Sequence, residues 1–157
     1  MKRTFRPINC VLGVAQLLAS YLLIDHFFCR SGARFERVGP DPQGRVAIDV
    51  ASIRPLEVRY YRFLNRGNQE VLFFVGRDEA GTLAVAFDAS ENDFKRKRGF
   101  RAEGAWVVNN KCDTATRLAE VNLGRSGCGP VPLRFHQEGA TLVLAENDIL
   151  EGWRYFR

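Results

Sequence analysis

The chain opens with a mostly apolar stretch, Ile8–Phe28. As a helix this segment would be roughly 30 Å long, which is enough to cross a bilayer. Three basic residues precede it, as in a signal peptide, but we find no good small-x-small cleavage site after it. The pattern therefore predicts an uncleaved single-span anchor over residues 1–28, with a cleaved signal as the alternative.

The side of the membrane on which the rest of the chain lies is not settled by charge. Basic residues occur both before and after the apolar stretch, so the positive-inside rule gives no firm answer. A short N-terminus before a single span more often leaves the following domain outside. We therefore expect an inner (cytoplasmic) membrane protein whose domain faces the periplasm.

Two ionisable residues, Asp25 and His26, lie near the far end of the apolar stretch. Ionisable groups within a membrane segment are functional candidates, and a histidine can ligate the metal of a haem or a pigment. These two fall at the expected water interface, where polar groups cost little. An ordinary interfacial role is the simpler interpretation, and a cofactor at His26 is the alternative.

After the anchor the pattern changes twice. Residues 29–45 are polar and contain Gly and Pro, which predicts a juxtamembrane tether. Residues 57–64 (EVRYYRFL), the turn NRGNQ and residues 70–77 (EVLFFVGR) then predict a hairpin. Residues 82–89 (TLAVAFDA) add a third strand, so we expect an antiparallel meander. The run VLFFV is apolar throughout, which predicts a strand buried on both faces.

The remaining chain has a looser pattern. AWVV and TLVLA are further strand candidates, and ENDILEGWRYF near the end suggests one or two helical turns. The predicted fold class is mostly β. It is a small antiparallel domain of meander or barrel-like form over residues 46–157, tethered to one N-terminal transmembrane helix.

Charge adds one candidate surface. The net charge of +5 favours anionic partners without naming one. The run Lys95, Arg96, Lys97 and Arg98 could dock an acidic partner or anionic head groups, although a solvated loop is the usual explanation. We do not expect nucleic-acid binding, because the domain is predicted to be membrane-tethered and no binding fold is visible.

The segment RPLEVRYYRFLNRGNQEVLFFVGRDEAGTLAVAFDA, Arg54–Ala89, resembles the core of the FtrD-like iron–sulfur membrane proteins. These are bacterial proteins associated with ferrous iron uptake. The likeness continues through GFRAEGAWVV, GCGPVPL and DILEGWRYF. It implies a cluster held by one Cys-x-x-Cys after the FDA strand, a second after the EG-aromatic step, and a further cysteine before the proline-rich turn.

In this chain the implied ligand positions fall on Ser90, Asp93, Asn109, Cys112 and Cys128. Only the last two are cysteines. A cluster typically needs four thiolates, and oxygen ligands suit hard cations rather than a sulfide cluster. We therefore predict vestigial ligand positions, no cofactor and a lost redox centre. A retained cluster and a weak oxygen-rich metal site are the alternatives.

The two remaining cysteines could instead pair. A disulfide between Cys112 and Cys128 would close a loop of about sixteen residues and stabilise the fold by roughly 3 kcal/mol in the chain-entropy model. It would persist only in an oxidising compartment, which fits an outward-facing domain. Two buried thiols are the alternative.

No catalytic motif accompanies these positions. The sequence has no Ser-His-Asp arrangement, phosphate loop or HExxH motif, and His136 is isolated. We therefore expect a non-enzymatic accessory subunit. It would bind integral membrane subunits of an electron-transfer, photosynthetic, respiratory or transport complex, and the lipid bilayer through its N-terminal helix. The alternative is a metal- or cluster-binding electron-transfer component of a ferrous iron uptake system.

Overall fold

The structure, a computed structural model, describes residues 34–92, 98–124 and 127–157. The predicted anchor, with Asp25 and His26, lies outside these residues, as do Asp93 and Lys95, Arg96 and Lys97. Phe35–Arg157 form one compact unit. The folded unit therefore begins within the stretch that we predicted to be a tether.

Short strands dominate this unit. Among the described residues, the 3-10 helices are Leu118–Leu123 and Gly152–Tyr155, and the α-helix, α1, is Glu146–Glu151. The strands of the described residues are β1 (Phe35–Val38), β2 (Arg45–Asp49), β3 (Val58–Leu64), β4 (Glu70–Arg77), β5 (Leu83–Phe87), β6 (Phe100–Glu103), β7 (Trp106–Asn109), β8 (Ala115–Arg117), β9 (His136–Glu138) and β10 (Thr141–Ala145).

The largest sheet contains the predicted meander. Its strand order is β1-β3-β4-β5, and both β3–β4 and β4–β5 are antiparallel. The β3–β4 ladder runs from the pair Val58 and Gly76 to the pair Leu64 and Glu70, with the predicted turn between them. The prediction of an antiparallel meander is therefore confirmed for these three strands.

The same sheet also contains a parallel pair, which the prediction of a small antiparallel domain did not include. Strand β1 pairs in parallel with β3, with Phe35 beside Tyr60. This arrangement arises because the chain leaves β1, contributes β2 to another sheet, and only then returns for β3. Parallel neighbours require such a crossover.

Two smaller antiparallel sheets, β2-β10-β9 and β6-β7-β8, complete the fold. Strand β4 is buried on both faces, as predicted. Phe73 packs into the larger core, which includes β2 and β10 side chains, whereas Phe74 packs into a second core with Phe100 and Leu118. The central sheet thus has a hydrophobic core on each side.

Candidate functional site

Three of the vestigial ligand positions lie on or directly beside loops that come together. Ser90 follows β5, Asn109 ends β7, and Cys128 precedes a segment that runs beside β5. That segment is held by the amide of Phe87, which donates to the carbonyl of Val131 at 2.9 Å. The amide of Val131 in turn donates to the carbonyl of Ala89 at 3.1 Å.

The side chain of Asn109 joins the three loops. Its Nδ2 donates to the carbonyl oxygen of Cys128 at 2.9 Å and approaches Oγ of Ser90 at 3.4 Å. Asn109 and Ser90 are both buried, with 3% and 2% of their surfaces exposed. A buried amide with a nearby acceptor for its N–H group is a stabilising contact rather than a vacant ligand position.

The other end of the Asn109 amide organises the turn that carries Cys112. Its Oδ1 accepts the backbone N–H of Lys111 at 2.9 Å and that of Cys112 at 3.4 Å. Asp113 then adopts a left-handed φ of 52°, and its amide donates to the carbonyl of Asn109 at 3.0 Å. Asn109, at a position where the family pattern has a cysteine, therefore fixes the backbone at Cys112.

Arg101 braces this turn from strand β6. Its guanidinium bonds to Glu103 at 2.6 Å and to Asp113 at 3.1 Å. These contacts, the Glu103 hydrogen bond above all, raise the pKa of Arg101. The pairs are exposed, so we expect them to contribute little to stability beyond fixing the turn.

Cys112 is exposed and Cys128 is partly buried, and the structure forms no disulfide between them. The pairing inferred from the sequence stays a prediction for the oxidised protein. Their backbones nevertheless belong to one site, since the amide of Asn109 bonds to the carbonyl of Cys128 and to the N–H of Cys112.

A buried carboxylate closes the same region. Asp88 is 5% exposed, and its Oδ1 accepts the backbone N–H of Phe100 at 2.7 Å. Gly99 lies directly against this carboxylate with a left-handed φ of 60°, leaving no room for a Cβ atom. The resemblance includes Asp88 only within the FDA strand and implies no role for it. Gly99, directly before β6, is the sequence feature that could have indicated the contact with Asp88.

The donor set of the site does not fit an iron–sulfur cluster. Ser90 and Asn109 offer a hydroxyl and an amide that lie beside each other, and the sulfur atoms come only from Cys112 and Cys128. A cluster is typically held by four thiolates. Within the described ranges, no group of three or more His, Cys, Asp or Glu side chains is placed to hold a metal ion.

Of the remaining candidates, Arg98 borders the site and His136 does not. Arg98 is exposed, and its carbonyl accepts a 2.8 Å hydrogen bond from Nδ2 of Asn110. His136 is exposed on β9, in the sheet of β2 and β10. In the part of the chain that the structure describes, no helix has the length and hydropathy needed to span a membrane.

Comparison with known families gives one match. The family model described as "Membrane iron-sulfur containing protein FtrD-like" matches residues 53–156, which is more than half of the chain. No curated protein and no solved structure matches the chain. The matched segment contains strands β3, β4 and β5 of the central sheet and every residue of the site described above.

Proposed function

Because the chain belongs to the FtrD-like family of membrane iron–sulfur proteins, we propose that it is a non-catalytic, membrane-anchored accessory subunit. In this proposal it has lost the redox centre of its relatives. It binds integral membrane proteins in a larger complex for electron transfer, photosynthesis, respiration or transport. The anchor is the N-terminal apolar segment, and the domain faces the periplasm.

One observation carries the proposal. Asn109 stands at a position where the family pattern has a sulfur ligand. Both Nδ2 and Oδ1 of its side-chain amide are hydrogen-bonded to the protein itself. Three of the five ligand positions lack sulfur, while Asp88, Gly99 and the segment after Cys128 still make close contacts around them. A fold kept without its electron carrier supports a role in holding partners rather than in transferring electrons.

The proposal is tested on the full chain isolated from its native membrane in mild detergent. We expect it to run with integral membrane proteins at a fixed stoichiometry that is the same in two unrelated detergents. An unrelated tagged single-span protein from the same membrane, carried through the same steps, is the control for adventitious association. A chain that runs alone in both detergents would refute the accessory role.

A second function has one observation in its favour. Cys112 and Cys128 flank the same amide, so two thiols remain at the edge of the site. This arrangement supports a metal- or cluster-binding component of a ferrous iron uptake system. Cells carrying the double variant Cys112→Ser/Cys128→Ser discriminate the two functions. Impaired iron uptake with an intact complex would favour the second, and unchanged uptake would favour the first.

A further inference from the structure

One end of the central sheet is where the chain enters the folded unit. Strands β1 and β3 are parallel, so both begin at this end. The antiparallel β4 finishes here and β5 starts here. We name this end the entry edge and define it as the loop Ala51–Glu57, the turn Asp78–Thr82 and the adjoining tip of the β6–β7 hairpin.

Leu56 protrudes from the entry edge. It is 40% exposed and has a left-handed φ of 63°, which is unfavourable for a bulky side chain. The backbone holds it there, because its N–H donates to the carbonyl of Arg77 at 2.9 Å and Glu57 N–H donates to the carbonyl of Arg54 at 3.0 Å. A strained apolar residue is thus fixed in an outward position.

Trp106 belongs to the same edge. It is 42% exposed and starts β7, directly after the hairpin tip. Ala105 and Arg117 line a cavity of about 150 Å³ together with the turn Asp78–Ala80. The guanidinium of Arg117 lies 5.5 Å from the centre of the Trp106 ring. Of the three large apolar side chains that are exposed among the described residues, two therefore lie at the entry edge.

The charges of the entry edge nearly cancel. Glu57 pairs with Arg54 and Arg59 at 3.2 and 2.8 Å. Glu79 pairs with Arg117 at 3.7 Å. With the carboxylate of Asp78 in the same turn, three arginines face three carboxylates. The edge therefore presents an aromatic and an aliphatic side chain among charges that balance. Tryptophan is enriched at membrane–water interfaces, and arginine can lay its apolar stem on such a surface while its charged head stays in water.

The length of the connecting chain limits how far this edge lies from a membrane. The predicted span ends at Phe28 and β1 begins at Phe35. Six intervening residues reach at most roughly 20 Å when fully extended. With the span as predicted, Phe35 at this end of the sheet lies within that distance of the membrane surface.

We infer that the entry edge rests on the lipid bilayer, with Leu56 and Trp106 in the head-group region. This inference rests on the membrane attachment in the proposed function. Because the ion pairs are internally compensated, contact depends on the two apolar side chains and changes little with anionic lipid content. Ser90 and Asn109 lie at the opposite ends of β5 and β7, so the site with the lost ligands faces away from the bilayer.

The test uses the full chain in phosphatidylcholine vesicles, with p-benzoylphenylalanine in place of Leu56. The matched control carries the same photo-cross-linker in place of Arg66, which is exposed in the turn at the opposite end of the sheet. Flotation with the vesicles first reports membrane attachment. We expect at least fivefold more lipid adducts from position 56 than from position 66, with similar yields when a third of the lipid is phosphatidylglycerol.

The outcomes separate the two proposals. A chain that does not float refutes membrane attachment and this inference together. A chain that floats but labels lipid equally from both positions, or cross-links position 56 to a second copy, overturns only the inference about the edge.

A second measurement needs no cross-linker. Brominated lipids quench tryptophan fluorescence, and the chain has two tryptophans, Trp106 and the half-buried Trp153. Trp153 directly follows Gly152, which lies against Phe87 at the far end of β5. We expect Trp106→Phe to abolish most of the quenching and Trp153→Phe to preserve it. Quenching that follows Trp153 would overturn the inference.

Discussion

Replacing Asn109 by alanine tests the central contact of the site. The substitution removes the donor to the carbonyl of Cys128 and the acceptor for the N–H of Lys111, both at 2.9 Å. Each lost hydrogen bond costs about 1 kcal/mol, and buried groups left without partners cost more. The two longer contacts at 3.4 Å contribute less. We expect the free energy of unfolding to fall by about 2–3 kcal/mol.

The assay is chemical denaturation of the full chain in detergent, followed by near-ultraviolet circular dichroism of its aromatic side chains. Asn147→Ala is the matched control, because Asn147 is an exposed asparagine in α1 and its replacement is expected to change stability by less than about 0.5 kcal/mol. If Asn109→Ala is no more destabilised than this control, the Asn109 amide does not hold the three loops together.

Three further substitutions test the surroundings. Gly99→Ala forces a Cβ atom onto the carboxylate of Asp88 at a left-handed φ, so we expect a loss of at least about 2 kcal/mol in the free energy of unfolding. Leu56→Gly relieves a left-handed φ of 63° and should raise the stability of the detergent-solubilised chain by about 1 kcal/mol; a loss would contradict the assigned strain. The hydrogen bond from Arg59 is the main cause that lowers the pKa of Glu57 to about 2. A lowered folded pKa stabilises the fold above the ordinary value of 4.5 and loses that contribution as pH falls toward 2. Because the pair is partly exposed, the contribution is about 1 kcal/mol, and Glu57→Gln should lose less stability over this pH range than the unchanged chain.

The central hairpin was predictable because its signals are local. Alternating and continuous apolar runs on either side of a polar turn fix the β3–β4 register, and the all-apolar run in β4 indicates burial on both faces. The structure confirms both, with Phe73 and Phe74 in different cores. The helical turns over the segment ENDILEGWRYF are also present, as α1 and the 3-10 helix after it.

Strand β1 was missed because it is short and polar, and because its partner β3 lies beyond another strand in the chain. No local pattern in FERV indicates a parallel neighbour. The role of Asn109 was missed for a similar reason. Its partners Ser90 and Cys128 are both nineteen positions away in the chain. The sequence showed which ligands are absent, but only the fold shows that the amide now connects the loops.

The most direct measurement is the iron and acid-labile sulfide content of the full chain, isolated without oxygen, together with its visible spectrum. The comparison is the variant Ser90→Cys/Asp93→Cys/Asn109→Cys, which restores the sulfur atoms that the family pattern contains. We predict less than a tenth of an equivalent of iron and no thiolate-to-iron absorption for the natural chain, with both appearing in the restored variant. A natural chain that is brown and redox-active, with stoichiometric iron that is lost in Cys112→Ser, would contradict the account.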